Sequence, residues 1–139
     1  EDLGIEPSYP KAEARPVTVR DAIDTLAKRE GHITKEMYRR WHVRRHGDSI
    51  HGFDAIKLRA NQCAPTLKKS NCHYHYQWPR ELNLDEMKRL GSFPDEMIFQ
   101  GERRDGLQRI GNSVPPLFMR AIARHIRETI LDGQATSSN

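Results

Sequence analysis

Apolar positions along this 139-residue chain are sparse and gather into short periodic runs. Val19, Ala22, Ile23, Leu26 and Ala27 follow at i, i+3, i+4, i+7 and i+8, the spacing that lines one helical face. Thr18 precedes the run with Asp21 three residues on, close to a capping box, and Gly31 offers a stop. A second helix is expected from Thr34 to about His46, with Met37, Tyr38 and Trp41 on one side and arginines on the others. Gly47 marks its end.

The middle of the chain reads differently. Asp54 to Arg59 and Pro65 to Ser70 are short and bounded by turn residues, and are read as strands. His73 to Trp78 alternates with a period of two. That period puts Tyr74, Tyr76 and Trp78 on one face and His73, His75 and Gln77 on the other, the latter expected to meet solvent. Asn83 and Glu86 form an Asn-x-x-Glu box for a third helix, with Met87 and Leu90 inward and Gly91 at its close. Phe93-Pro94-Asp95 then turns the chain.

A last helix is expected to start at Pro115-Pro116, where a missing N–H costs nothing. Leu117, Phe118, Ala121, Ile122, His125, Ile126 and Ile130 form its stripe, and Gly133 closes it. Just before it, Gly111 permits a tight turn, and Asn112 and Ser113 have side chains suited to capping. Residues 1–16 hold three prolines without periodicity and read as an extended lead-in; 133–139 read as a disordered tail. No internal repeat is present.

Composition narrows the classes. Hydrophobic residues are 36% and charged residues 30%, polar for a globular domain, so the core is thin. No apolar run approaches the ~18–20 residues of a membrane span, and no leader-like apolar region opens the chain. Two cysteines, Cys63 and Cys72, are too few for a disulfide framework and suit a reducing compartment. The net charge of +4 is unevenly spread. Residues 28–69 carry eleven Lys and Arg against four acidic residues, a net of +7, leaving −3 for the rest. Such a basic middle is the footprint of a phosphate-backbone binder, or of a solvated helix face.

Candidate chemistry is limited. Cys63, Cys72, His73 and His75 lack the two close ligand pairs of a zinc site, so no metal is expected. His125 lies in an apolar stripe and reads as a packing residue. No phosphate loop or nucleophile triad appears.

Four segments change the picture. Gln108-x-x-Gly111-Asn112-x-Val114-Pro115-Pro116, before an amphipathic helix, resembles the last signature motif of DNA cytosine-5 methyltransferases. Arg80-Glu81-Leu82-Asn83-Leu84-Asp85-Glu86 and Leu90-Gly91-Ser92-Phe93-Pro94-Asp95 resemble that family's penultimate motif. Ala64-Pro65-Thr66-Leu67 is similar to the Pro-Thr-Leu element at the edge of its target-recognition domain. Pro16-Val17-Thr18-Val19-Arg20-Asp21-Ala22-Ile23 resembles the segment before that domain. The likeness runs in family order from about residue 16 to 131. The family's Pro-Cys-Gln nucleophile, Phe-x-Gly-x-Gly loop, Glu-Asn-Val acid and Gln-x-Arg-x-Arg segment are missing.

The resemblance implies a mixed α/β (α+β) architecture. A small irregular recognition lobe with short strands (17–79) would precede motifs (80–132) whose last helix returns to a Rossmann-like methyltransferase domain. It implies methyl transfer from S-adenosylmethionine to C5 of cytosine in double-stranded DNA, with no catalytic residue in this chain. Asn112, Ser113 and Val114 would contribute to the S-adenosylmethionine pocket. Thr66 would contact backbone, with Lys68, Lys69 and Ser70 beside it. Arg39, Arg40, Arg44, Arg45 and Arg59 would face DNA, with Arg44, Arg45 and Arg59 candidates for guanine. The partner would be the N-terminal catalytic portion, on the same gene product or a separate subunit of a bacterial or phage-type cytoplasmic enzyme. The chain opens at Glu1 and reads as a cut fragment or the smaller partner of a split enzyme. Alone it is expected to be inactive, with an exposed stripe of Leu117, Ile122 and Ile126. Two rivals stand. One is a non-enzymatic helix-turn-helix DNA binder built from residues 18–30 and 34–46. The other is a metal-dependent nuclease using His73 and His75.

Overall fold

The computed structural model describes residues 6, 8–12, 15–26, 31–51, 55–69 and 72–132. The expected tail (133–139), much of the 1–16 lead-in and Ser70 lie outside them. The chain divides into two compact units, Pro16–Ser113 and a second made of Glu1–Arg15 with Val114–Asn139.

The larger unit begins with α1 (Val19–Ile23), capped as its sequence predicts. The Thr18 hydroxyl accepts from Asp21 N–H, and the Asp21 carboxylate accepts from Thr18 N–H, both at 3.2 Å. Two further N–H groups of that first turn are satisfied by a distant loop. Val19 N–H donates to Gln62 O and Arg20 N–H to Ala60 O, each at 2.9 Å. Segment 60–62 is thereby hung on the start of α1.

Helix α2 (Lys35–Val43) starts at the Thr34 cap, whose hydroxyl accepts from Met37 N–H at 3.2 Å. It buries no residue fully. Met37 and Trp41 rest on a small cluster of Ile50, Ala55 and Tyr74, apart from the main core. Lys57 fastens it there. Its ammonium lies 3.6 Å from the Trp41 ring centroid and donates to the carbonyls of Trp41 (3.1 Å) and Arg44 (3.3 Å). Those carbonyls are orphan acceptors of a helix C-terminus, where a cation is also favoured. Burial lowers the pKa of Lys57.

A two-stranded antiparallel sheet pairs β1 (Ser49–His51) with β2 (Ala55–Ile56), with an irregular register between Ser49 and His51. The strand expected at 54–59 is thus shorter, and residues 65–69 form none. Pro65 has no N–H to give a ladder, and Thr66 O accepts from a histidine ring instead of a neighbouring strand. Residues 73–78 do not form a two-faced strand either. Tyr74 bridges Lys57 on one side and Glu81 on the other, and everything from Cys72 to Tyr76 is buried. Covered on both faces, the segment gives its alternation no solvent side. His73 and His75, expected to be exposed, are interior.

Helix α3 (Leu84–Leu90) has the expected Asn83–Glu86 capping box and ends at Gly91. A further helix, α4 (Arg103–Asn112), was not anticipated. Gly106 and Gly111 interrupt its pattern, yet Leu107 and Ile110 at i, i+3 are buried, and Asp105 accepts from Glu102 N–H at 3.0 Å. The core holds Val19 and Ile23 of α1, Leu58, Leu82, Met87 of α3, and Leu107 and Ile110 of α4.

Helix α1 packs on α3, α3 on α4, and α2 on β1; among the described residues α1 and α2 share no packing contact, and residues 27–30 of the expected first helix lie outside those described. In the second unit, α5 (Pro116–Ile126) runs into a π-helical turn, Arg127–Leu131. Leu117, Phe118 and Ile126 are exposed, and the half-buried His125 accepts or donates at Ser8 Oγ, 2.8 Å away. No helix among the described residues is long and apolar enough to cross a membrane.

Candidate nucleic-acid interface

Loop 65–69 is held from two sides. On one, His73 Nε2 lies 3.1 Å from Thr66 O while its Nδ1 faces Ile56 N–H at 3.5 Å. Ile56 N–H can only donate, so Nδ1 is the acceptor and Nε2–H the donor to Thr66 O. On the other side runs α4. A Cβ built on Gly111 would stand 2.5 Å from the Lys68 carbonyl carbon and 2.6 Å from Lys69 Cα. Gly111 therefore serves close helix–loop approach, and the tight turn expected there is absent. The loop that carries the Pro65-Thr66-Leu67 segment and the Gly111-Asn112-Ser113 segment, 46 positions further on, meet here through Lys68 and Lys69. Thr66 and Lys69 are exposed and Lys68 half-buried.

Asn112 is the exposed last residue of α4 and Ser113 its C-cap, so neither caps α5 as expected. The Ser113 hydroxyl donates to Ile110 O at 2.8 Å, and α5 has Pro115 as its N-cap, with no side-chain cap bond. Val114, where the chain re-enters the second unit, is exposed.

The arginines divide. Arg39, Arg44 and Arg45 are exposed and have no carboxylate partner among the described residues. Arg40 is engaged, its Nε 2.8 Å from Glu36. Arg59 folds back over Gly47, a residue at φ +97°, where only glycine is unstrained. Its Nε donates to His46 O at 3.1 Å and an Nη to Gln62 Oε1 at 3.2 Å. It forms one wall of an open cleft of about 570 Å³ that the sequence did not suggest.

Behind this surface sits a buried polar knot. Arg80 donates two hydrogen bonds to Glu86, at 2.8 and 2.7 Å, and Glu86 also accepts from Asn83 N–H at 2.8 Å. His75 Nε2 is 3.7 Å from Glu86, and His75 Nδ1 receives the N–H groups of Gln77 (2.9 Å) and Trp78 (3.2 Å). Burial presses the His75 pKa down to about 4, Glu86 pulling the other way. Two N–H groups aimed at Nδ1 require that atom unprotonated, in agreement. Unfolded histidine titrates near 6.5, so between about 6.5 and 4 the unfolded chain takes up a proton that native His75 refuses. This stability is full above 6.5 and is lost as pH falls to 4, by at most about 1.4 kcal/mol per pH unit. Thermal midpoints from pH 7 to 4 should show that slope, and His75→Gln should flatten it. Equal slopes would remove His75 as its source.

Cys72 is buried, donates its S–H to Leu82 O at 3.2 Å, and has its thiol pushed up to about 12 by burial, which makes it inert as a nucleophile. Cys63 is exposed. Among the described residues no three His, Cys, Asp or Glu side chains cluster to hold a metal, and both histidines of the nuclease rival are committed to backbone.

A loop carrying lysines, a helix with outward arginines and a polar cleft give this unit a surface rich in positive charge. Residues 7–128 match the model of the C-5 cytosine-specific DNA methylases, and the chain belongs to that family. A Methanocaldococcus jannaschii relative is 38% identical over 78 residues, 56% of this chain and 25% of the relative. A type II methyltransferase of Haemophilus parahaemolyticus is 42% identical over 53 residues, 38% of this chain and 14% of the relative. A DNA (cytosine-5-)-methyltransferase of Aeropyrum pernix is 32% identical over 93 residues, 66% and 20% of the two chains. The chain thus spans a quarter or less of these relatives. No solved structure matches it.

Proposed function

We propose that this chain is the target-recognition and C-terminal part of a DNA cytosine-5 methyltransferase. The whole enzyme would transfer a methyl group from S-adenosylmethionine to C5 of cytosine in a specific duplex sequence. The observation that carries this is the seat of the Thr66–Lys69 loop on Gly111, which joins the segment assigned to DNA to the segment assigned to cofactor. In this reading residues 17–79 recognise DNA and 80–132 return the chain to a Rossmann-like catalytic domain. Residues 1–16 lead in and 133–139 trail. Thr66, Lys68, Lys69 and Ser70 approach the backbone, and Arg39, Arg40, Arg44 and Arg45 face the duplex. Asn112, Ser113 and Val114 border the S-adenosylmethionine site. The nucleophile belongs to the N-terminal catalytic portion, which also covers the Leu117, Ile122 and Ile126 stripe, in a cytoplasmic enzyme.

The test mixes this chain with the N-terminal portion, labelled S-adenosylmethionine and defined duplexes. Methyl transfer is expected only from the mixture. Transfer by the chain alone, or none from a mixture that also fails to bind duplexes, overturns the reading. Asn112→Ala in the reconstituted enzyme is expected to raise the KM for S-adenosylmethionine several-fold, with a smaller change in kcat. An unchanged KM would take Asn112 out of the cofactor site.

A further inference from the structure

The open cleft is unaccounted for. Arg20, Arg59, His46, Asn61, Gln77 and Tyr76 form most of its lining. Its walls are fixed before any ligand arrives. Segment 60–62 hangs on the first turn of α1, Arg59 is held between His46 O and Gln62 Oε1, and His46 Nε2 lies 2.8 Å from Tyr76 O. The Arg20 guanidinium lies 6.0 Å from the Tyr76 ring centroid. Such pre-organisation spares a ligand the cost of ordering the site.

We infer that this cleft receives a single backbone phosphate of double-stranded DNA; the inference rests on the DNA-recognition reading above. Shape decides between base and phosphate. Base edges lie on the floor of a groove and are read by side chains that project into it, whereas the sugar–phosphate strands stand up as ridges. A concave cleft fits the ridge. Chemistry agrees: two guanidiniums and three amide side chains, Asn61, Gln62 and Gln77, supply N–H donors. The one carboxylate, Asp24, is already met by the Tyr76 hydroxyl and lies 3.8 Å from Arg20. Arg59 thereby moves from a candidate reader of guanine to a backbone anchor. Its Nε and one Nη are committed, and the side chain does not project.

Binding of the 139-residue chain to a labelled duplex, titrated over salt, tests this. Arg59→Gln is expected to weaken binding about tenfold on every sequence. It should also make the salt slope shallower by about 0.9, one phosphate contact. Asp24→Asn, which removes a repelling charge but keeps an acceptor for Tyr76, is expected to tighten binding. A gain cannot come from misfolding. A neutral methylphosphonate walked along the duplex should weaken the wild-type chain at one position that Arg59→Gln no longer senses. Wild-type binding with both variants unchanged overturns the cleft alone. Failure of the wild-type chain to bind any duplex overturns the DNA reading and the cleft with it. An Arg59-dependent mononucleotide site without effect on duplex binding also overturns the inference.

Discussion

Gly111→Ala is expected to lower the stability of the Pro16–Ser113 unit by about 3 kcal/mol and its thermal midpoint by on the order of 10 °C. The sign is the informative part. Inside an ordinary helix, replacing Gly by Ala stabilises by up to about 1 kcal/mol. Here the added methyl would press on the Lys68 carbonyl carbon and on Lys69 Cα, backbone atoms that have no rotamer to escape into. Either α4 lifts from the loop or the loop moves, and Lys69 moves with it. Reconstituted enzyme carrying Gly111→Ala should lose affinity for both duplex and S-adenosylmethionine. Calorimetry settles it: a raised midpoint would mean that α4 and the loop are not in contact.

The second large effect concerns the interior ion pair. Glu86→Ala strands the Arg80 guanidinium, which is 8% exposed, and is expected to cost about 3–5 kcal/mol in urea unfolding. That is a large share of the ~5–15 kcal/mol typical of a domain. It also removes the acceptor for Asn83 N–H at the start of α3. Arg80→Met with Glu86→Leu, which buries no charge, should recover much of the loss, so the two single costs will not add. If Glu86→Ala cost under 1 kcal/mol, water would already be serving Arg80.

How much of this was legible in the chain depends on the range of the interaction. Thr18–Asp21 and Asn83–Glu86 are contacts three residues apart, and their caps could be read directly. The starts of α1, α2 and α3 followed. The resemblance, written in four ordered segments, led to the family. What was hidden is non-local. His73 and His75 alternate with tyrosines as solvent-facing residues do, and nothing nearby says that Thr66 O, Gln77 N–H and Trp78 N–H will occupy their nitrogens. Helix α4 was masked because its glycines answer to Leu84 and to Lys68–Lys69, on other parts of the chain. Asn112 and Ser113 were placed at the wrong helix end for the same reason. The cleft was invisible because Arg20, His46 and Arg59 converge only when segment 60–62 docks on α1.

Helix α2 carries a further consequence. Among the described residues it touches the rest of the protein through Met37, Trp41, the Lys57 clasp and a hydrogen bond from Arg40 to Ile50 O, and contributes nothing fully interior. Its outward flank can therefore be rewritten without a penalty in folding. Substitutions accumulating on that flank would alter the charge it presents to a partner, while the core beneath stayed as it was.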